Sequence, residues 1–436
     1  MLPTPRLLTL LLLGAVVVAG ASVVPVMLWL AIAYFLVLLG LVIADVLLTT
    51  HADQISVERI AEPKLSLGVP NLVQITLTNG SPRPLAFALR DEFPYQWDAD
   101  ATILNGTIPA LGSTEVRYHV TPTQRGDYRW GETNLRYGSA LGTFRRQARY
   151  ATAADARVYP NVLDVRKYDM MARKGLLTEM GLRHTRTLGA GTEFERLRDY
   201  LPDDEWRRIN WKASARRNKL IAMEYETERA QHVVCVLDTG RLMRPPIGAI
   251  QKLDYAVNAA LLTSYVAAGR GDHIGLLTFA DQVDLYLAPR KGNGQFYTML
   301  ELLYNVQGQA VEADYGRALG YLSLKNKRRS LVIVFSDLVT KEAAKPLIAY
   351  MSRLAQRHLP LLVIMNDPNI TNLAAREPAN AQDVYERAVA EQLLDERWVI
   401  LDTLNQAGVL TLDVPADKLS VAVIDKYLEL KNRGAL

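Results

Sequence analysis

Val233-Val234-Cys235-Val236-Leu237-Asp238-Thr239-Gly240 and Ser330-Leu331-Val332-Ile333-Val334-Phe335-Ser336-Asp337 are two unbroken apolar runs, each closed by an aspartate. Short β-branched and aliphatic runs of this kind are what a strand buried on both faces requires. Between and after them the period changes to that of amphipathic helices, over 250–268, 295–305, 316–324, 343–356, 381–407 and 418–432. Further strands read over 273–279, 360–365 and 410–414, and 282–287 reads as the hairpin partner of 273–279. Strands alternating with helical crossovers predict a doubly wound, mostly parallel α/β sheet over residues 232–436. Ligands of such sheets bind outside the carboxyl ends of the strands, which is where Asp238 and Asp337 fall.

Asp238, Asp337 and Thr278-Phe279 at the end of another strand resemble the loops of the von Willebrand factor A domain. The resemblance implies a Mg²⁺ held by an Asp-x-Ser-x-Ser loop, a threonine and a further aspartate. A hard cation wants that many oxygens in octahedral array. The sequence keeps both aspartates, but Gly240 and Leu242 stand at the two serine positions and Ala313 at the threonine. Thr239, Asp314 and Ser336 lie one position off, where side chains are expected to point elsewhere. Two readings follow: a degenerate metal site at Asp238 and Asp337, or two carboxylates that cap loops and helix N-termini.

Upstream, residues 161–231 read as a charged connector. It contains Gly189-Ala190-Gly191-Thr192-Glu193-Phe194-Glu195-Arg196-Leu197-Arg198-Asp199-Tyr200-Leu201-Pro202-Asp203-Asp204-Glu205-Trp206-Arg207-Arg208-Ile209-Asn210-Trp211-Lys212-Ala213-Ser214-Ala215-Arg216. This stretch resembles the hallmark of the DUF58 family: a glycine turn, Glu-Phe, Leu-Arg-x-Tyr, Pro-Gly-Asp, Arg-x-Ile-Asp/Asn-Trp and Ser-Ala-Arg in order. Asp203 replaces the usual glycine; Arg125-Gly126-Asp127-Tyr128 and Asn366-Asp367-Pro368 extend the likeness over nearly the whole chain after residue 50. The resemblance implies a membrane-tethered protein with a β-domain and a von Willebrand A-like domain. It also implies partnership with a MoxR-type AAA+ ATPase in chaperone-like maturation or envelope stress. The residues expected to meet that partner are Glu193, Phe194, Arg196, Arg198, Tyr200, Asp204, Arg207, Arg208, Trp211, Ser214 and Arg216. Arginine forks interleaved with carboxylates and aromatics suit either of two roles. They can clamp the connector onto the α/β domain, or they can form a docking surface.

Residues 51–160 read as short strands punctuated by Gly, Pro and Asn, over 72–78, 85–89, 115–120, 128–130 and 144–150. The alternation in 72–78 ends at Asn79-Gly80-Ser81-Pro82, a turn signal. A small β-sandwich of immunoglobulin-like type is expected, without the Cys…Trp…Cys signature of antibody domains.

Residues 1–50 carry a run, 7–44, with no charged side chain. That is about twice the roughly 20 residues one membrane helix needs. Gly20-Ala21-Ser22 and Pro25 break it into two spans, 7–24 and 26–48. Arg6 and the amino terminus favour a cytoplasmic start. A transmembrane helical hairpin is therefore expected, multi-pass in a bacterial inner membrane, with the soluble domains cytoplasmic. The rivals are a cleaved signal peptide over the first span and a single anchor. Asp45 is expected near the headgroups.

The 436 residues carry a formal net charge of +4 and one cysteine, Cys235, so no internal disulfide framework exists. The six histidines show no ligand spacing and no phosphate loop is present, so no catalytic constellation is expected. Six acidic residues interrupt the arginine-rich stretch 183–219, which argues against nucleic acid but leaves membrane lipid as a partner for the same arginines. The expected function is a non-enzymatic, cofactor-free scaffold; the alternative is Mg²⁺-dependent ligand binding at Asp238 and Asp337.

Overall fold

The computed structural model describes residues 1–21, 24, 26–161, 193–201, 206, 209–226, 230–337 and 341–434. The expectations for His184, Gly189, Gly191, Asp203, Asp204, Arg207 and Arg208 lie outside the described residues. The chain forms two compact units, Met1–Tyr159 and Pro160–Leu436.

The first unit opens with β1 (Leu2–Pro3), α1 (Pro5–Ala21) and α2 (Val26–Leu48). The strands that follow are β2 (Ile55–Ala61), β3 (Lys64–Ser66), β4 (Asn71–Asn79), β5 (Leu85–Asp91), β6 (Trp97–Ala99) and β7 (Leu104–Ile108). They continue with β8 (Ser113–Pro122), β9 (Gly126–Arg129), β10 (Thr133–Gly138), β11 (Phe144–Tyr150) and β12 (Asp155–Tyr159). Sheets of order β1-β11-β10-β5-β7 and β2-β4-β8-β6 make an immunoglobulin-like sandwich, with β3-β12-β9 as a third small sheet. Period-two burial explains it: Val73, Ile75 and Leu77 of β4, and Leu85, Phe87 and Leu89 of β5, all point inward. The two large sheets are tied by one buried polar cluster. Asp91 of β5 accepts from Arg59 Nε of β2 at 2.9 Å, from the Tyr118 hydroxyl of β8 and from Thr133 Oγ1 of β10 at 2.9 Å. Arg59 spends its remaining donors on the carbonyls of Gly131 and Thr152, so no charge is left unpaired.

Helix α2 is long and apolar enough to cross a membrane, whereas α1, at 17 residues, is shorter. The two run antiparallel. The Tyr34 hydroxyl donates to the Leu10 carbonyl at 2.7 Å, and a Cβ on Gly14 would stand 2.7 Å from the Phe35 ring, so only glycine lets the helices approach there. Trp29, Val37 and Leu47 are each more than two-thirds exposed, an apolar surface that water disfavours and lipid accepts.

Both ends of this hairpin are held by the same loop. At its start, Thr4 Oγ1 donates to the carbonyls of Gly142 and Thr143 at 2.7 and 2.9 Å, and β1 pairs with β11. At its end, Asp45 is fully buried. It accepts from Ser139 Oγ, the Leu141 amide and the Thr143 amide at 2.6, 2.6 and 3.1 Å. This corrects the expectation of a headgroup-facing carboxylate: the 139–143 loop supplies the donors that water or headgroups would otherwise provide.

The second unit begins its described part with β13 (Glu193–Asp199), α3 (Trp211–Arg217) and β14 (Ile221–Glu226). Next come β15 (His232–Asp238), β16 (Pro246–Ile247), β17 (Ile250–Gln251), α4 (Lys252–Gly269), β18 (His273–Phe279), β19 (Val283–Lys291) and α5 (Asn293–Tyr304). It closes with α6 (Tyr315–Lys325), β20 (Leu331–Phe335), α7 (Lys341–Ala355), β21 (Leu359–Asn366), α8 (Pro368–Ala375), α9 (Ala381–Gln406), β22 (Leu410–Pro415) and α10 (Leu419–Asn432). The main sheet has the order β19-β18-β15-β20-β21-β22, parallel throughout except for β19. Every residue of β20 is buried, because helices cover both faces. The chain leaves β15 toward β18 on one side and later returns to β20 on the other. The switch point therefore lies between β15 and β20, above Asp238 and Asp337.

Candidate functional site

Asp238 closes β15 with its carboxylate buried at the switch point. One oxygen accepts the Gly240 amide at 2.7 Å. The other accepts Ser336 Oγ at 2.6 Å and the Tyr315 hydroxyl at 3.1 Å, and these two hydroxyls also meet each other at 2.9 Å. Burial pushes the Asp238 carboxyl above its ordinary range, and the nearby Asp337 adds to the rise. Burial, with Asp238 beside it, likewise raises the Tyr315 phenol. Ser336 thus corrects the expectation that a residue one position off points away: it reaches Asp238 because the chain turns out of β20 at that residue.

Asp337 meets a different neighbour. Lys252, first residue of α4, places its ammonium 2.6 Å from the Asp337 carboxylate, both side chains being largely buried. Arg397 of α9 stands 3.8 Å from the other oxygen. Arg397 itself is fixed by both oxygens of Asp413, at 2.7 and 3.0 Å, and by the Met365 carbonyl at 2.7 Å. Two cations from the protein therefore stand where a divalent ion's charge is expected, and such an ion must compete with both. Among the described residues no group of three or more His, Cys, Asp or Glu is gathered as metal ligands would be.

The serine position at Gly240 is crowded. A Cβ there would stand 3.0 Å from both the Asp238 carboxylate and the Val311 carbonyl, and 3.2 Å from the Ala313 amide. The β15 loop is packed directly on the 311–313 backbone, where the Arg241 amide donates to the Val311 carbonyl at 2.8 Å. Asp314 caps α6, accepting the Arg317 amide at 2.9 Å, and Thr239 donates to the Phe279 carbonyl at 2.9 Å. A cavity of about 200 Å³ lies beside Asp238, lined by Leu242, Ala313 and Tyr315 among others. Sequence reasoning missed Tyr315, Lys252 and Arg397. None has a local signature: each is an ordinary helix residue that long-range folding brings to the strand ends.

The connector residues assemble separately, as a hairpin with a helix inserted. β13 and β14 pair antiparallel with Asp199 opposite Ile221. α3 is capped by Asn210, whose side chain accepts the Ala213 amide at 3.0 Å. Ser214 is buried; its hydroxyl accepts the Ile221 amide at 2.9 Å and locks α3 onto β14. The backbones of Glu193, Phe194, Arg196 and Arg198 lie in β13, while their side chains lie outside the described residues. Tyr200 is half-buried and its amide donates to the Leu220 carbonyl at 3.0 Å. Arg216 is exposed. Trp206 and Trp211 are 67% and 66% exposed, with Leu201 and Leu220 also exposed around the same hairpin. Such aromatic area is costly in water.

Cys235 is buried in β15 and its thiol is pushed up to about 12 by burial, so it is inert.

Curated relatives align with the chain over part of its length. Rv1480 of Mycobacterium tuberculosis, an uncharacterized protein, is 25% identical over 264 residues, covering 57% of this chain and 82% of that protein. YeaD of Bacillus subtilis, also uncharacterized, is 23% identical over 237 residues, covering 53% of this chain and 55% of that one. Among solved structures, WR4, a C. elegans MSP family member, matches 24% of this chain and 97% of its own at 12% identity and a TM-score of 0.17. The CARDB domain of PF1109 from Pyrococcus furiosus matches 24% of this chain and 94% of its own at 16% identity and a TM-score of 0.17. Residues 196–389, which hold the inserted helix, the strand-end aspartates and most of the parallel sheet, match the family described as "Protein of unknown function DUF58".

Proposed function

We propose that this protein is a membrane-anchored, non-enzymatic scaffold that captures a protein partner on the β13–α3–β14 hairpin of its second unit. The observation that carries the reading is the exposure of Trp206 and Trp211 on an element whose own helix is capped and locked. Tryptophan and arginine on a rigid base are what dominate interface energetics. The arrangement of the strand ends supports a binding role over catalysis, since Asp238 and Asp337 spend their oxygens on fixed internal donors. The second unit is read as a von Willebrand A-like domain on its strand order and the position of both aspartates. By the DUF58 resemblance, the partner is a MoxR-type AAA+ ATPase, and the setting is chaperone-like maturation or envelope stress.

The anchor is read as a two-pass hairpin in the inner membrane with both units in the cytoplasm. Support comes from the 139–143 loop, which holds the start of α1 and the end of α2 together. A chain tied in this way leaves the bilayer on the side from which it entered.

Affinity capture from detergent extracts tests the docking reading. The wild-type chain is expected to recover an AAA+ ATPase, and Trp206→Ala with Trp211→Ala to lose it at unchanged melting temperature. Undiminished recovery by the double variant places the docking surface elsewhere.

Mg²⁺-dependent ligand binding at Asp238 and Asp337 is a second reading, favoured by the cavity beside Asp238. Calorimetric titration with Mg²⁺ decides it: heat that Asp238→Ala abolishes supports it, and no heat from the wild type removes it.

A further inference from the structure

The membrane-proximal face of the first unit holds a cleft that none of these readings uses. Its floor is the outer face of the β5–β10–β11 sheet. The register sets Ala88 beside Arg136 and Gly138 beside Arg145, and Ala86 shares this face with Ala88. These small residues leave the floor flat. Arg136 and Arg145 rise from it, and Arg6, in the first turn of α1, closes the cleft from the other side. The open cleft has a volume of about 520 Å³, and no lining residue is acidic.

Among the described residues, none of the three guanidinium groups is paired with a carboxylate. Arg136 Nε donates to the neutral Gln147 side chain at 2.9 Å, which orients its fork and leaves four of its five N–H groups over. Arg6 lies along the 139–143 loop. A Cβ on Gly142 would stand 3.0 Å from Arg6 Nη1, and Gly142 has φ +80°, so backbone shape and the missing side chain both make room for that guanidinium. Gathering like charges in a concave site is unfavourable unless an anion joins them. Forked donors aimed into a cleft suit the two free oxygens of a phosphodiester.

We propose that this cleft binds the phosphate of an anionic phospholipid headgroup. The assignment rests on the anchoring reading above, because α1 starts at Pro5 and its apolar run begins at Leu7, directly beyond Arg6. A lipid standing beside α1 has its phosphate at the depth of the cleft. The arginines involved belong to the first unit and are distinct from those of the DUF58 hallmark.

The test uses the full chain in mild detergent, with bound phospholipid quantified by native mass spectrometry after addition of phosphatidylglycerol or phosphatidylcholine. The wild type is expected to retain phosphatidylglycerol over phosphatidylcholine by about tenfold or more. Arg6→Gln, Arg136→Gln and Arg145→Gln together should bring the ratio close to one. Ala86→Phe should do the same with all charges kept, because it fills the floor. Arg149→Gln, which removes an exposed charge further along β11, should leave the preference intact. Equal retention by the wild type and the triple variant overturns the proposal. So does saturation of the arginines by inorganic phosphate with no preference between the lipids, which would make free phosphate the ligand. An alkaline wash of membranes separates the underlying reading. Wild type and triple variant should both stay in the pellet, and release of the wild type contradicts anchoring whatever the lipid ratio.

Discussion

Lys252 holds the place where the strand-end chemistry is decided. Its ammonium and the Asp337 carboxylate are both largely buried, at 15% and 5% side-chain exposure. Removing one partner of such a pair strands a charge. Lys252→Met should therefore cost about 3 kcal/mol in denaturant unfolding of the full chain; a loss below about 1 kcal/mol would show that Arg397 alone suffices to neutralise Asp337. Gly240 makes the companion case. Serine there presses the β15 loop against the 311–313 backbone, which must give by a few tenths of an ångström, so Gly240→Ser should destabilise by about 1–3 kcal/mol rather than rebuild a metal loop. An unchanged midpoint would mean the loop yields freely. His232 and His358, both held low by burial, contribute a pH dependence. Burial, helped by His273 and Arg328, holds the His232 imidazole below the ordinary 6.5. The unfolded chain then takes up a proton that the folded chain refuses, so stability falls as the pH drops below about 6.5. His232→Gln should make the fall in melting temperature between about pH 7 and about pH 5.5 shallower, and an equally steep decline in that variant would assign the effect to other groups such as His358.

At the scale of elements, the hairpin root is the sharpest finding. Asp45 receives four donors at 3.1 Å or less from the 139–143 loop. Asp45→Ala removes an acceptor from several buried donors at once, and about 3 kcal/mol of thermal stability in detergent should go with it; a melting curve that does not move would mean water replaces the carboxylate. This contact was not legible in the sequence, where Asp45 reads only as a charge at the end of an apolar run. The same limit hid the Lys252–Asp337 pair and the reach of Tyr315 to Asp238, since long-range polar contacts leave no local period. The strands of the parallel sheet were legible because burial on both faces demands continuous apolar residues, and 273–279 was read to the residue. β10 went unread because Thr133–Gly138 holds only Leu135 and Tyr137 as inward apolar anchors. The residues 161–231, read as a connector, carry in their described part a hairpin with its own capped helix, and the contrast has a physical source. Short strands rich in arginine and glutamate lack the apolar alternation by which strands are recognised, and their pairing is set by a partner strand some 25 residues away.

The whole molecule joins an apolar hairpin, a β-sandwich fastened to its root, and an α/β unit carrying exposed tryptophans. On the two-pass reading proposed above, the chain enters and leaves the bilayer on one side. Cys235 is buried and unreactive, so newly introduced cysteines report without background. Tyr95 lies in the sandwich at 92% exposure, and Val24 lies between the two helices at 46%. The decisive measurement labels Tyr95→Cys and Val24→Cys chains with a membrane-impermeant maleimide in intact spheroplasts and after permeabilisation. Val24→Cys is expected to react from outside, while Tyr95→Cys reacts only once the membrane is opened. Labelling of Tyr95→Cys in intact spheroplasts would contradict the two-pass reading.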